Sequence, residues 1–145
     1  MRQIKFRAWD GSKMILPETT EGEGSDSRIY VLDFFGRVSL INQHGLEMKP
    51  VDVIPNITLM QFTGFKDKNG KEIYEGDILK SYPTIRTDDT IIYSQVIFNE
   101  HKGMWYANAI GTFEGENEYL VEAIKPAHET EVIGNIYENP DLLTK

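Results

Sequence analysis

Apolar and polar side chains alternate in short runs along this chain, and glycine and proline cut the runs apart. Ile4-Lys-Phe-Arg-Ala-Trp9 places Ile4, Phe6 and Ala8 on one face of a predicted strand, with Arg7 and Trp9 on the other. Residues 28–35 and 38–41 are two β-rich runs either side of Gly36-Arg37, which predicts a hairpin. Residues 91–98 and 104–110 flank Asn99-Glu-His-Lys-Gly103 and predict a second. Asn69-Gly70 predicts a tight turn, because both residues adopt positive φ at low cost. Beyond it, Gly76 predicts a sharp bend into a strand through Ile78 and Lys80.

The remaining segments are read by their breakers. Residues 17–27 and 81–90 are polar and predict loops, as does the acidic turn Glu114-Gly-Glu-Asn-Glu118. Pro50 and Pro55 remove ladder donors, so residues 42–55 are read as an edge strand or a connection. Residues 119–124 and 131–137 are read as further strands, and Asn139-Pro140-Asp141 predicts a short terminal helical turn. No apolar stripe of 3.6-residue period lasts for three turns. The predicted class is mainly β: short strands and hairpins with little helix, and an SH3-like small barrel in the C-terminal half. An N-terminal β region over 1–58 and a small-barrel region over 59–145 are expected to form one compact unit.

Composition narrows the function classes. The 145 residues contain no cysteine, which excludes disulfides, thiolate metal sites and a cysteine nucleophile. A net charge of -8 disfavours a nucleic-acid role, for which Lys5, Arg7, Lys66, Lys68, Lys71 and Lys80 on a shared face would be the only support. No apolar run is long enough for a membrane span, and Met1-Arg-Gln-Ile lacks the apolar stretch of a signal peptide, so a cytoplasmic protein is expected.

Three segments, Arg7-Ala-Trp-Asp10, residues 59–79 and residues 131–140, occur in an order that resembles the YopX family of small bacteriophage and prophage proteins. The likeness spans nearly the whole chain, and its middle segment is the most specific. It implies a β-rich fold, a phage or prophage origin and a host bacterial cytoplasm. It implies no reaction, so no catalytic residue is carried over.

Arg7, Trp9 and Asp10 are candidate partner-binding residues, since Arg and Trp are enriched at interface hot spots. The structural alternative, that Trp9 covers core and Asp10 opens the turn at Gly11-Ser12, is favoured. Glu75 and Asp77 would share a strand face and are the only candidate catalytic pair, against the reading that acids beside a glycine bend satisfy backbone donors. Asp67, Asn69 and Glu72 do not make a calcium loop, because the twelfth position counted from Asp67 is Ile78. His44, His101 and His128 have no metal-ligand spacing, so no metal and no cofactor is expected. Glu114, Glu116, Glu118 and Glu122, with Asp88 and Asp89, form either a solvated face or a mimic of a nucleic-acid backbone.

The leading expectation is a phage-encoded binding or assembly module that contacts a protein partner or itself through open strand edges, at residues 4–9 or 42–55. The alternatives are a small hydrolase using Glu75 and Asp77, and an acidic decoy of a host nucleic-acid-binding protein.

Overall fold

The computed structural model describes residues 3–16, 20–21, 28–33, 37–44, 47–82, 90–111, 117–124 and 129–144. The predicted turn at Gly36, the residues between Glu114 and Glu116, His128, and most of the predicted loops at 17–27 and 81–90 lie outside them. The fold is mainly β with little helix. It divides into two units: Met1–Ile4 with Gln61–Lys145, and Lys5–Met60.

In the larger unit, β7 (Thr58–Lys66, whose first three residues precede the division) pairs antiparallel with β8 (Glu72–Tyr74), and in a second sheet β9 (Asp77–Ser81), β10 (Ile92–Asn99), β11 (Met104–Ala109) and β12 (Asn117–Tyr119) run as an antiparallel meander. A single helical turn, α1 (Leu120–Ala123), follows, and β13 (Glu131–Asn135) returns to pair with β9. The resulting order, β12-β11-β10-β9-β13, is a meander whose last strand joins its first, the connectivity of an SH3-like barrel. A bulge between Val132 and Gly134 bends β13 as it follows β9. Ile73, Leu79, Val96, Ala107 and Val132 form the core from successive strands, with Trp105 beside them and Leu120 and Ala123 covering one end. Each large side chain buried in this way stabilises the unit by about 1.5–3 kcal/mol.

Three details differ from the sequence reading. Residues 119–124 are not one strand: the chain turns into α1 after Tyr119 and buries Leu120 and Ala123, three apart on one helical face. One turn is too short for a periodic signal, and tertiary burial decides the outcome. The turn after β7 is longer than an Asn-Gly pair. Gly70 alone of the two has positive φ (81°), while Asp67 N–H donates to Lys71 O and Gly70 N–H to Asp67 O. Residues 20–21, inside the predicted loop, form β3.

The smaller unit contains the hairpin of β1 (Phe6–Trp9) and β2 (Met14–Ile15), closed by Gly11 at φ 97°. It also contains a sheet in the order β3 (Thr20–Glu21), β4 (Arg28–Leu32), β5 (Val38–His44) and β6 (Glu47–Val53). Asp33 accepts Arg37 N–H at 3.0 Å and pairs with its Nε at 2.7 Å, at the ends of β4 and β5. β6 contains Pro50 and is an edge strand, as missing ladder donors require.

Candidate functional site

The residues singled out from sequence fall into separate structural roles. Asp10 Oδ1 accepts Ser12 N–H, Ser12 Oγ–H and Lys13 N–H, each at 2.8 Å, which shapes the β1–β2 turn. The Lys13 and Ser12 amides hold the Asp10 carboxyl below its usual range. Trp9 is half-buried opposite Met14. Arg7 is only 8% exposed, so it is not the surface side chain that a contact through this strand face requires. Ile4, expected to share a strand face with Phe6 and Ala8, precedes β1 and is 69% exposed.

Glu75 and Asp77 do not follow strand alternation. Glu75 and Gly76 form the turn between β8 and β9, and Gly76 takes φ 76° as the sequence required of the bend. Asp77 is 1% exposed, and its Oδ2 accepts Tyr74 N–H at 2.8 Å, closing the turn from inside. The backbone on either side is anchored as well: Glu75 N–H donates to Gln61 O, and Gly76 N–H to Val96 O. His101 is exposed in the turn after β10. Among the described residues, no three His, Asp or Glu side chains are placed to hold a metal ion. No helix among them is long and apolar enough to cross a membrane.

A different set of residues forms a concave surface within the larger unit. Ten large apolar side chains among the described residues are more than a third exposed, and four of them line one groove: Phe98, Met104, Tyr119 and Val121, at 41–48%. The groove encloses about 490 Å³, a size ordinary for ligand sites. Gln61, Thr63 and Phe65 of β7 line a further part of it. Gly64 breaks β7 at φ 92°, and Thr63 Oγ secures the break by donating to Ile73 O at 2.8 Å and accepting Phe65 N–H at 3.2 Å.

Another part comes from the β10–β11 hairpin. Asn99 Oδ1 accepts Lys102 N–H at 3.0 Å, Asn99 O accepts Gly103 N–H at 2.8 Å, and Gly103 takes φ 62°. This turn leaves Phe98 opposite Trp105, their rings edge to face at 4.8 Å, and puts Met104 at the start of β11. Trp105 also lines the groove, and its buried indole N–H meets no acceptor among the described residues. Tyr119 and Val121 complete the lining where β12 becomes α1. That corner is held by Thr130, whose hydroxyl donates to Ala123 O and is hydrogen-bonded to Ser81 Oγ. Tyr119 also stacks on Tyr106 at 5.0 Å, and the Lys102 ammonium lies 5.3 Å over the opposite partner of that pair, the Tyr106 ring.

No charged side chain is among the nine described residues that line this groove; it sets apolar and aromatic side chains beside the neutral polar groups of Gln61 and Thr63, so it can bury apolar surface next to neutral polar groups. Neither Glu75 nor Asp77 lines it. The sequence reading did not single out Phe98, Met104, Trp105, Tyr119 or Val121. Its available signal was an excess of apolar residues in β10: Ile97 and Phe98 are adjacent, so one must face away from the core.

Comparison with known proteins follows the same fold. The family model for YopX protein matches residues 5–144. The crystal structure of protein yopX from Bacillus subtilis is similar with a TM-score of 0.64 and 22% identity, covering 100% of this chain and 98% of that one. Protein EF1440 from Enterococcus faecalis is similar with a TM-score of 0.58 and 28% identity, covering 99% of both chains. No curated protein matches. With nearly every residue from Lys5 onward matched and the same fold in both solved structures, this chain belongs to the YopX family.

Proposed function

We propose that this YopX protein is a phage- or prophage-encoded binding module acting in the host bacterial cytoplasm, and that it contacts a protein partner through the groove of the larger unit. The carrying observation is the convergence of Phe98, Met104, Tyr119 and Val121, all 41–48% exposed, on one concave surface. Apolar patches of this kind on a folded surface are sites of association. Aromatic anchors set in a pocket are also the residues that dominate binding energy. The binding reading is supported over the hydrolase reading because Asp77 is buried with its carboxylate bonded to the Tyr74 N–H of its own turn, and neither Glu75 nor Asp77 lines the groove.

The test introduces a photo-reactive side chain at Met104 or, as a control outside the groove, at Leu143, and irradiates the protein in cells carrying the phage. A cross-linked adduct to the same protein from position 104 and not from 143, lost when Val121→Lys is added, is the expected result. Identical adducts from both positions, or none from 104, would overturn the reading.

A further inference from the structure

Resting on the groove reading above, we infer that the partner segment carries an Asp or Glu side chain next to the apolar side chain that enters the groove, and that Lys102, Tyr106 and Tyr119 receive its carboxylate at the groove's edge. Cluster and groove are joined at two positions. Tyr119 belongs to both, and Gly103, which lines the groove, follows Lys102 in the β10–β11 turn. Tyr106 of β11 and Tyr119 of β12 are cross-strand partners with their rings 5.0 Å apart, and the exposed Lys102 ammonium lies 5.3 Å over the Tyr106 ring.

This corner has donors but no anion to receive them. Tyr106 is 6% exposed, and its hydroxyl is sealed from solvent beside Lys102 and Tyr119 without completing a hydrogen bond to either. A buried hydroxyl left in that state is costly, so an acceptor that reaches it gains affinity. Burial alone would raise the Tyr106 phenol, but the Lys102 ammonium and the Tyr119 hydroxyl outweigh it and hold the phenol below its ordinary 10.0, the mark of a positive local potential. Among the described residues, the groups that act on the Lys102 charge are Tyr106 and Tyr119, and no carboxylate is one of them. The acids nearest in sequence, Glu100 and Glu122, leave that charge uncompensated, and Glu122 has a partner of its own.

One ammonium with two phenols matches a single carboxylate, whereas a polyanion such as a nucleic acid meets the repulsion of a chain at -8. The groove lining carries no charge, so the part of the ligand that enters it is apolar: an ion there would lose its hydration with no counter-charge to meet it. The carboxylate therefore stays at the Tyr119 edge while its apolar neighbour fills the groove.

The experiment selects the full chain against a displayed library of random peptides fused through their C-termini, which offers no free terminal carboxylate, and measures the affinities of amidated synthetic copies. The expected peptides place an Asp or Glu beside an aromatic or aliphatic residue. Lys102→Met weakens them about tenfold, and Lys102→Arg keeps them within about threefold of the wild type. Changing the peptide's acid to its amide costs a like factor against the wild type and nothing further against Lys102→Met, which is the coupling expected of a direct contact. Met104→Gln and Val121→Gln, at exposed groove positions, weaken the same peptides about fivefold. Peptides sensitive to the two groove variants but lacking an acid, or indifferent to Lys102→Met, would overturn the carboxylate inference and leave the groove reading standing. Peptides indifferent to both groove variants, or no enrichment over an unrelated protein, would overturn both. A single-stranded oligonucleotide that binds more tightly than the peptides and is weakened by Lys102→Met would make a nucleic acid the occupant, and the inference would fail. A dimer in solution that Val121→Gln converts to a monomer would make the occupant a second copy of this chain and overturn it equally.

Discussion

The carboxylate of Asp67 reaches Val132, 65 residues away in sequence: its Oδ2 accepts the Val132 N–H at 3.0 Å, while its Oδ1 accepts the N–H groups of Asn69 and Lys71 at 2.8 and 2.9 Å. One side chain thus shapes the turn between β7 and β8 and fastens the first residues of β13 to it. Lys68 N–H donates to Thr130 O and extends the same junction by one residue.

Asp67→Ala removes the side-chain acceptor of three backbone donors, one of them buried, so it should destabilise the protein by about 2–4 kcal/mol. Asp67→Asn should cost nearly as much. An amide offers one acceptor oxygen, so its NH₂ must face either the Val132 amide or the turn amides. Denaturant unfolding of the three proteins checks both values, and an Asp67→Asn protein as stable as the wild type would contradict the assignment.

Gly134 tolerates no side chain for a packing reason. A Cβ there would collide with the Asn139 side-chain oxygen, lie 2.8 Å from Asn139 Cγ and come within 3.1 Å of Leu142. Asn139 Oδ1 also accepts the Asn135 N–H, and Asn135 Oδ1 in turn accepts the N–H groups of Tyr137 and Glu138. Gly134→Ala should therefore cost about 1–3 kcal/mol. Combined with Asn139→Ala it should cost less than the sum of the two single changes, because the collision is removed with the amide. Additive losses in a double-mutant cycle would rule out the clash.

Asp10 gives a pH signature. Its carboxyl titrates below its ordinary 3.8 because the Lys13 and Ser12 amides favour the ionised form. A group with a lowered folded pKa stabilises the native state above its unfolded pKa and loses that contribution as pH falls through the folded value. The stability difference between the wild type and Asp10→Ala should be largest above pH ~5 and should close as pH drops below ~3.8. A difference that stays constant between neutral pH and pH ~3 would contradict this role.

Burial at Trp105 gives a contrast within one ring pair. Trp105 is in the core while its partner Phe98 is 41% exposed. Trp105→Ala should cost about 3–5 kcal/mol, and Phe98→Ala distinctly less, because less of its surface leaves water on folding. Thermal unfolding that shows equal losses would mean that the groove side of the pair is packed as tightly as the core side.

The chain's local chemistry was legible wherever a turn residue has a single physical use. Gly76 and the Asn99–Gly103 turn mark bends that the backbone makes, the hairpin of β10 and β11 follows from its two alternating runs, and Asn139-Pro140 begins a terminal 3-10 turn over Pro140–Thr144. Long-range chemistry was not. Asp67 reads as a turn residue, and nothing in its neighbours announces Val132 as a partner. Glu75 and Asp77 look like a same-face pair until the positive φ of Gly76 breaks the alternation on which that reading rests. α1 is hidden because Tyr119–Ile124 is as β-like as it is helical, and only burial of Leu120 with Ala123 selects the turn. The groove draws on β7, the β10–β11 hairpin and the β12–α1 corner, elements of two sheets separated by up to sixty residues, so its members become neighbours only in the folded unit.

The most direct test of the groove as the recognition surface is two-dimensional 1H–15N NMR of the full chain titrated with the protein that cross-links from position 104. The account predicts that the Trp105 indole N–H and the backbone amides of Phe98, Gly103, Met104, Tyr119 and Val121 shift together and saturate with one affinity, while the amides of Phe6–Trp9 stay in place. Shifts confined to the β1–β2 hairpin, or spread evenly over the chain, would contradict it.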